Sequence, residues 1–320
     1  MDFGFFKIGA LSPRTCVADP VQNTAHALAA LRQAHRQGVQ LAVLPELFLS
    51  GYTCGDLFGQ DALLDSCERA LLELARQTQE LDMAIVAGVP LRAKGFLYNC
   101  AAVLHRGRIL GIVPKTYLPN YQEFYEKRWF VSGTQNRAET LRLAGMEIPF
   151  GNLLFRLGER AVLGIEICED LWVPLPPSTQ MALAGANVIV NLSASNEAVS
   201  KNDYRRTMLA QQSAKALCAY AYASAGVGES TTDLVFSGAC TIAENGTILA
   251  DAPRFQQEGS AAIACVDLER LLSQRRQNGS FPDNASLVPP PDYRVIDTPV
   301  GALKQEQIDR PFDRHPFVPD

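Results

Sequence analysis

The sequence predicts an α/β protein in which mixed β-sheets carry helices on their outer sides. Three observations lead there. Short apolar runs alternate with helix-period segments up to Val89. Further apolar runs then flank tight polar turns, the signature of antiparallel hairpins. The chain has 320 residues and 47% hydrophobic content, enough for one large core or two domains.

In order, Phe5 to Ala10 reads as a first strand. Asp19 followed by Pro20 caps a helix whose Ala25, Leu28, Leu31 and Ala34 recur at helical spacing. Leu41 to Leu44 is a second strand, closed by Pro45-Glu46. A helix over Leu63 to Leu81 and a strand over Met83 to Val89 complete a β-α-β-α-β series. Leu97 to Leu104 and Arg108 to Val113 flank His105-Arg106-Gly107 as a hairpin. Leu153 to Leu157 and Ala161 to Ile167 flank Gly158-Glu159-Arg160 as another. Trp172, Pro174, Pro176 and Pro177 then impose a loop. Val188 to Val190 is a short buried strand and Tyr204 to Ala219 a helix. Strands follow over Ala221 to Ala225, Ala239 to Ala243, Thr247 to Leu249 and Ala262 to Val266, with Asn245-Gly246 as a tight turn.

Beyond Arg276 the prolines and charges multiply and apolar residues thin out. Residues 276–320 therefore read as an ordered arm or linker after a domain over residues 1–275. Phe281, Tyr293, Val295, Ile296, Val300 and Leu303 are spaced so as to anchor such an arm on a neighbouring surface.

Charge excludes several classes. Lys and Arg number 29 against 34 Asp and Glu, for a net charge of -5, and no basic stripe appears. Nucleic acid is not an expected partner. No apolar run reaches the roughly 20 residues of a membrane-spanning helix. The N-terminus lacks the basic-then-apolar pattern of a signal peptide. Eight scattered cysteines without a CxxC pair argue against a zinc or dithiol site and read as reduced thiols, so a cytoplasmic location is expected. The four histidines show no metal-ligand spacing, and no metal is expected.

Reactive side chains stand just past three apolar β runs. Glu46 follows Leu41 to Pro45, Lys115 follows Ile112-Val113-Pro114, and Cys168 follows Ile165-Glu166-Ile167. Active sites of α/β proteins gather at such strand ends. Singly, Cys168 could be a buried small hydrophobe, Glu46 a helix-start carboxylate and Lys115 a surface lysine. A nucleophilic thiol would need a base or positive charge beside it.

The segments LAVLPELFLSGY around Glu46, PKTYLPNYQEFYE around Lys115 and GIEICEDLW around Cys168 together resemble the nitrilase, or carbon–nitrogen hydrolase, superfamily. NVIVNLSASNEAVSKNDYRR (187–206), YASAGVGESTTDLVFSGACTIAENGTILA (222–250) and the tail DRHPFVP (313–319) narrow the likeness to the glutaminase half of the glutamine-dependent NAD synthetase family. The resemblance implies an α-β-β-α sandwich of two mixed sheets that stacks between subunits as a homo-oligomer. It implies Glu46 as general base, Lys115 as oxyanion stabiliser and Cys168 as nucleophile, with Glu123 as a second glutamate holding the lysine and substrate. Tyr121, Phe124, Glu169, Ser195 and Lys201 would line a pocket for L-glutamine, Glu169 facing the α-ammonium and Lys201 with Ser195 the α-carboxylate. Lys201 stands where relatives often carry arginine, a point charge in place of a fork.

The family's synthetase domain, with its Ser-Gly-Gly-Leu-Asp-Ser-like phosphate loop, has no counterpart in this sequence. No cofactor is therefore expected in this chain; ATP and Mg²⁺ would belong to that further domain. Alone, the chain is expected to hydrolyse glutamine weakly and not to make NAD. Other branches of the superfamily, such as amidases and carbamoylases, share the triad, and a regulatory domain with a dead site is the non-enzyme alternative.

Overall fold

The computed structural model describes residues 4–136, 138–310 and 312. Its first half comprises β1 (Phe5–Pro13), α1 (Pro20–Arg36), β2 (Leu41–Val43), α2 (Asp61–Gln77), β3 (Ala84–Ala93), β4 (Phe96–His105) and β5 (Arg108–Pro114). A small hairpin of β6 (Thr140–Leu143) and β7 (Met146–Pro149) follows. The second half runs β8 (Leu153–Leu157), β9 (Ala161–Ile167), α3 (Pro177–Leu183), β10 (Val188–Ser193), α4 (Lys201–Lys215), β11 (Ala219–Ser224), β12 (Cys240–Glu244), β13 (Thr247–Asp251) and β14 (Gly259–Asp267). It ends with α5 (Leu268–Gln277), α6 (Ser280–Leu287) and β15 (Arg294–Thr298).

Two sheets face each other. One has six strands in the order β14-β1-β2-β3-β4-β5, the other seven in the order β13-β12-β11-β10-β9-β8-β15. Each contains a parallel trio, β1-β2-β3 and β9-β10-β11, extended by antiparallel neighbours. Side chains alternate across each strand, and both faces are buried. Ile8, Val43 and Val86 of the first sheet meet Phe155, Leu163, Ile165 and Val190 of the second in a central apolar layer. Leu28, Leu31, Leu71 and Leu74, on α1 and α2, cover the outer face of the first sheet. Met181, Leu209 and Tyr220 form part of the equivalent layer outside the second, under α3 and α4. The result is an α-β-β-α sandwich.

The prolines after Trp172 do not hold a loop throughout. Pro177 opens α3, with Pro176 as its N-cap, because proline's fixed φ suits the first helical turn, where its missing N–H is not needed. The next helix also shifts: α4 spans Lys201–Lys215, and Ala219 already lies in β11. The pattern left α5 unmarked, yet it begins directly from β14, capped by Asp267, whose side chain accepts from Arg270 N. Arg275 on α5 then donates to the carbonyls of Leu217, Ala186 and Ala216, tying α5 to the ends of α3 and α4.

The arm is part of the sandwich. β15 pairs in parallel with β8, Arg294 opposite Leu153 and Thr298 opposite Leu157. Phe281 and Tyr293 pack on the outer layer and Ile296 on the central one, while Val300 and Leu303 are buried. Val295 stays largely exposed. The arm then reaches both sheets: beside the first, Gln40 Nε2 donates to Gly301 O and Lys7 Nζ to Gln307 O, and on β12 of the second, buried Glu244 takes a paired contact from Arg310 at 2.7 Å. The segment 313–319 lies outside the described residues.

A chain ending after Pro291 would lose this edge strand and the three contacts made by Gly301, Gln307 and Arg310. Its melting temperature is expected to fall by more than about 5 °C, as a loss of one to a few kcal/mol implies in a domain of this size. An unchanged calorimetric midpoint would show that the arm adds nothing to the fold.

Candidate active site

The ends of β2, β5 and β9 meet at one rim of the sandwich. After β2 the chain turns at Pro45, and Leu47 takes a left-handed φ of 50°. Glu46 N donates across to Ser193 O at the end of β10, joining the two sheets. This crossing needs glycine at position 88 of β3. A Cβ there would lie 2.3 Å from Leu47 N and Pro45 O, a separation no side chain tolerates.

Lys115 continues β5 by one residue, its N–H donating to Asn99 O at 2.8 Å. Gly133 packs against its carbonyl and donates to it at 2.7 Å. The Lys115 side chain is fully enclosed, with Nζ 2.6 Å from Glu46 Oε1 and 2.7 Å from Glu126 Oε1. Asn99 Nδ2 donates to the same Glu46 oxygen at 2.7 Å, and Tyr52 OH to Glu126 at 2.9 Å. Glu46 Oε2 is buried and takes no hydrogen bond among the described residues. It is the oxygen left to receive a proton.

Burial disfavours the Lys115 ammonium, but the two carboxylates outweigh it and hold the lysine charged. Burial also pushes Glu126 up to about 7, Lys115 opposing and Glu46 reinforcing the shift. One cation between two acids thus leaves the cluster close to retaining a proton near neutrality.

Cys168 follows β9 and opens a short 3-10 turn, Cys168–Leu171. Its φ of 46° is left-handed, which for a non-glycine residue costs about 1–2 kcal/mol. Two contacts hold it. Cys168 N donates to Asn191 Oδ1 at 3.2 Å, and Asp170 of the same turn accepts from Ile167 N and Tyr117 N. The Asp170 bonds also pin the loop after Lys115 against the cysteine. Burial raises the thiol's pKa and Glu46 adds to it, while the Lys115 charge and a hydrogen bond from the Ala194 backbone N–H lower it. The ground state is a thiol with its proton acceptor and its thiolate-stabilising groups already placed around it.

Cys168 opens into a cavity of about 470 Å³. Tyr121, Glu123, Phe124, Glu169, Ser195 and Lys201 line it, together with Asn196, Trp172 and Tyr204. Tyr121 OH donates to both Glu169 oxygens, at 2.8 and 2.9 Å. Burial raises the Glu169 carboxyl against the effect of that bond. Lys201 Nζ lies 5.2 Å from the Trp172 ring centroid and donates to Asn196 Oδ1, while Asn196 Nδ2 donates to Glu123. Burial lowers the Lys201 pKa. Ser195 Oγ is buried without a partner among the described residues.

One expectation is corrected. Glu123 does not hold Lys115; Glu126 does. Gln122 takes a left-handed φ of 50°, which turns Glu123 toward the cavity and onto Asn196. The chain then folds back, Glu126 N donating to Pro119 O, and drops the Glu126 side chain inward. In the sequence Glu126 is the last residue of the segment PKTYLPNYQEFYE, with no role attached to it. Asn99, Tyr52 and Asn191 carried no local sign of their roles, since each acts on a residue distant in the chain, and Asn196, though only five residues from Lys201, joins it to the distant Glu123. Among the described residues no group of His, Cys, Asp and Glu could hold a metal ion, and no helix is long and apolar enough to cross a membrane.

A family model for carbon–nitrogen hydrolases matches residues 7–276. A curated glutamine-dependent NAD(+) synthetase of Mycobacterium tuberculosis is 43% identical over 99% of this chain and 47% of its own length. A mouse protein of the same name is 30% identical over 89% of this chain and 41% of its own. The chain thus spans about half the length of the curated relatives it matches. Among solved structures, a glutamine-dependent NAD(+) synthetase from Cytophaga hutchinsonii superposes with a TM-score of 0.75 at 28% identity, over 82% of this chain and 43% of that one. An amidase from Nesterenkonia matches with a TM-score of 0.63 at 21% identity, a likeness of fold.

The Glu126 carboxyl, at about 7 in the folded chain against about 4.5 unfolded, has a definite sign. The folded state holds the extra proton between those values, so this group's contribution to stability is complete below about 4.5 and is lost as pH rises through about 7. In Glu126→Gln the urea midpoint should decline less between pH 5 and pH 8 than in the parent. Parallel declines would remove Glu126 as the titrating group.

Proposed function

This chain belongs to the carbon–nitrogen hydrolase family, and from that premise we propose that it is the glutamine amidohydrolase unit of a glutamine-dependent NAD(+) synthetase. The observation that carries the chemistry is the buried Lys115 ammonium held between Glu46 and Glu126 beside a strand-end thiol. Identity of 43% over nearly the whole chain supports the synthetase branch over other amidases and carbamoylases.

The reaction runs in two halves. Glu46 Oε2 takes the Cys168 proton as Sγ attacks the carboxamide carbon of L-glutamine. The negative charge forming on the carboxamide oxygen meets Lys115 Nζ and the backbone N–H that follows Cys168, donors already oriented before substrate arrives. Glu46 returns the proton to the leaving nitrogen; ammonia departs and a thioester remains on Cys168. Water then gives a proton to Glu46 and attacks the thioester carbon. Collapse releases glutamate and restores the thiol. The amino-acid end of the substrate matches the cavity: Glu169, fixed by Tyr121, faces the α-ammonium, and Lys201 with Ser195 the α-carboxylate. Phe124 supplies an apolar wall, and Glu123 steers Lys201 through Asn196.

In this reading residues 1–275 are the hydrolase unit. Residues 276–320 are an arm that shares the second sheet through β15 and leads toward a synthetase domain. That domain would bind ATP and Mg²⁺ and use the ammonia to amidate deamido-NAD. The unit itself needs no cofactor, assembles as a homo-oligomer and works in the cytoplasm.

Cys168→Ala should fold normally and lose glutamine hydrolysis. Ammonia release from glutamine, compared with release from simple aliphatic amides and carbamoyl amino acids, tests both nucleophile and substrate. Turnover near the parent's in a folded variant would remove Cys168 from its role. Faster release from the other amides would move the chain to another branch. Lys115→Gln should lower kcat by at least about 10²–10³, the usual cost of losing one oxyanion donor, with a smaller effect on KM. A change confined to KM would make Lys115 a binding residue only.

A further inference from the structure

The layer between the second sheet and helices α3 and α4 is largely apolar, but one polar chain crosses it and ends on the nucleophile's backbone. Glu166 on β9, Tyr220 on β11 and Asn191 on β10 are all at most 1% exposed. Glu166 accepts from Ser178 N at 2.8 Å and from Tyr220 OH. These donors are neutral, so burial raises its carboxyl. Asn191 Nδ2 donates to Tyr220 O at 3.2 Å. Asn191 Oδ1 accepts from Cys168 N at 3.2 Å and from Ser193 Oγ at 2.7 Å.

Donor and acceptor roles leave one consistent direction. A carboxylate only accepts, so the single Tyr220 proton points at Glu166. Tyr220 O is then free to accept, so Asn191 must present its NH₂ there and its carbonyl to Cys168. The terminal acid thus decides which face of the Asn191 amide meets the strained cysteine. The Cys168 amide would otherwise have to leave its left-handed conformation to find another partner. The same conformation keeps Sγ within reach of Lys115 and the Ala194 N–H.

We propose that Glu166, Tyr220 and Asn191 form a directional hydrogen-bond chain that positions the Cys168 backbone for attack; the proposal rests on Cys168 being the nucleophile. None of the three lines the cavity, so they are positioning residues. Losing the chain should lower kcat and leave KM unchanged.

Reversing the chain tests this. In its ionised form, reached at the alkaline end of the pH range, Asn191→Asp puts a second acceptor before the one Tyr220 proton and should break the chain. Adding Glu166→Gln restores a consistent set with every dipole reversed. The new carboxamide donates to Tyr220 O, and Tyr220 donates to the new carboxylate, whose other oxygen accepts from Cys168 N. The net charge equals the parent's. For Asn191→Asp, kcat for glutamine should fall about 100-fold, the scale of a small displacement of reacting groups, with KM within about twofold. The double variant should recover at least about tenfold. A second readout needs no substrate: iodoacetamide modification of Cys168, followed by peptide mass spectrometry across pH. It should slow, with its midpoint raised, in the single variant and recover in the double. A folded single variant with the parent's kcat and modification profile would overturn the proposal, as would a double variant no faster than the single. If the single variant does not fold, Tyr220→Phe, which deletes only the hydroxyl, is read in its place: a lower kcat with KM unchanged and slowed modification of Cys168 is expected, and a folded variant with the parent's kcat and modification profile overturns the proposal. If the parent does not hydrolyse glutamine, the modification profile decides alone, which separates failure of the chain from failure of the glutaminase reading.

Discussion

A lysine with no exposed side-chain surface, held between two carboxylates, is the constraint on which the rest of this rim depends. Burying the ammonium unpaired would cost several kcal/mol, and removing either acid would leave charge stranded. The chain therefore supplies Glu46 and Glu126 from segments eighty residues apart in sequence numbering and steadies each separately, one by Asn99 and the other by Tyr52. Gly88 and Gly133 are consequences of the same demand. They are the positions at which backbone must lie against the Glu46 and Lys115 segments so closely that a methyl group does not fit.

The two sheets contribute different things. The first, through β2 and β5, brings the charged cluster; the second, through β9, brings the thiol on a strained turn. The Glu46–Ser193 backbone bond closes the seam between them. Behind that seam the central layer is apolar, so water does not screen the cluster from within. Thiol chemistry at the rim is thus set by fixed charges and backbone dipoles, as a low-dielectric site requires.

The alternating strands and helices were legible because local periodicity reports them, and both large hairpins announced themselves through their turns. Cys168, Glu46 and Lys115 could be picked out because each follows an apolar run that ends abruptly. What escaped was non-local or locally disguised. β15 finds its partner β8 some 140 residues earlier, a pairing no window can reveal. α3 was hidden by prolines that usually mark loops, although one of them starts the helix. α5 follows β14 without an intervening turn, so the change of period falls within one residue; Asp267 was the cue available. Glu123 and Glu126 are alike on paper. A single left-handed residue, Gln122, decides which faces the lysine and which the cavity, and nothing in the residue type glutamine foretells a positive φ.

The pairing of β15 with β8 also settles how the larger sheet stops. An outermost strand presents unpaired N–H and C=O groups to solvent and invites another chain to add on. Here that border carries Arg294 and Asp297, the latter in an ion pair with Arg156 on the neighbouring strand, and Pro299 follows at once. Charged side chains would have to shed water to accept a further strand, and proline offers it no donor. The segment that looked least like folded protein thus guards the sheet against edge-to-edge aggregation, shielding a border that β8, with Leu153, Phe155 and Leu157 buried along it, would otherwise leave open and apolar.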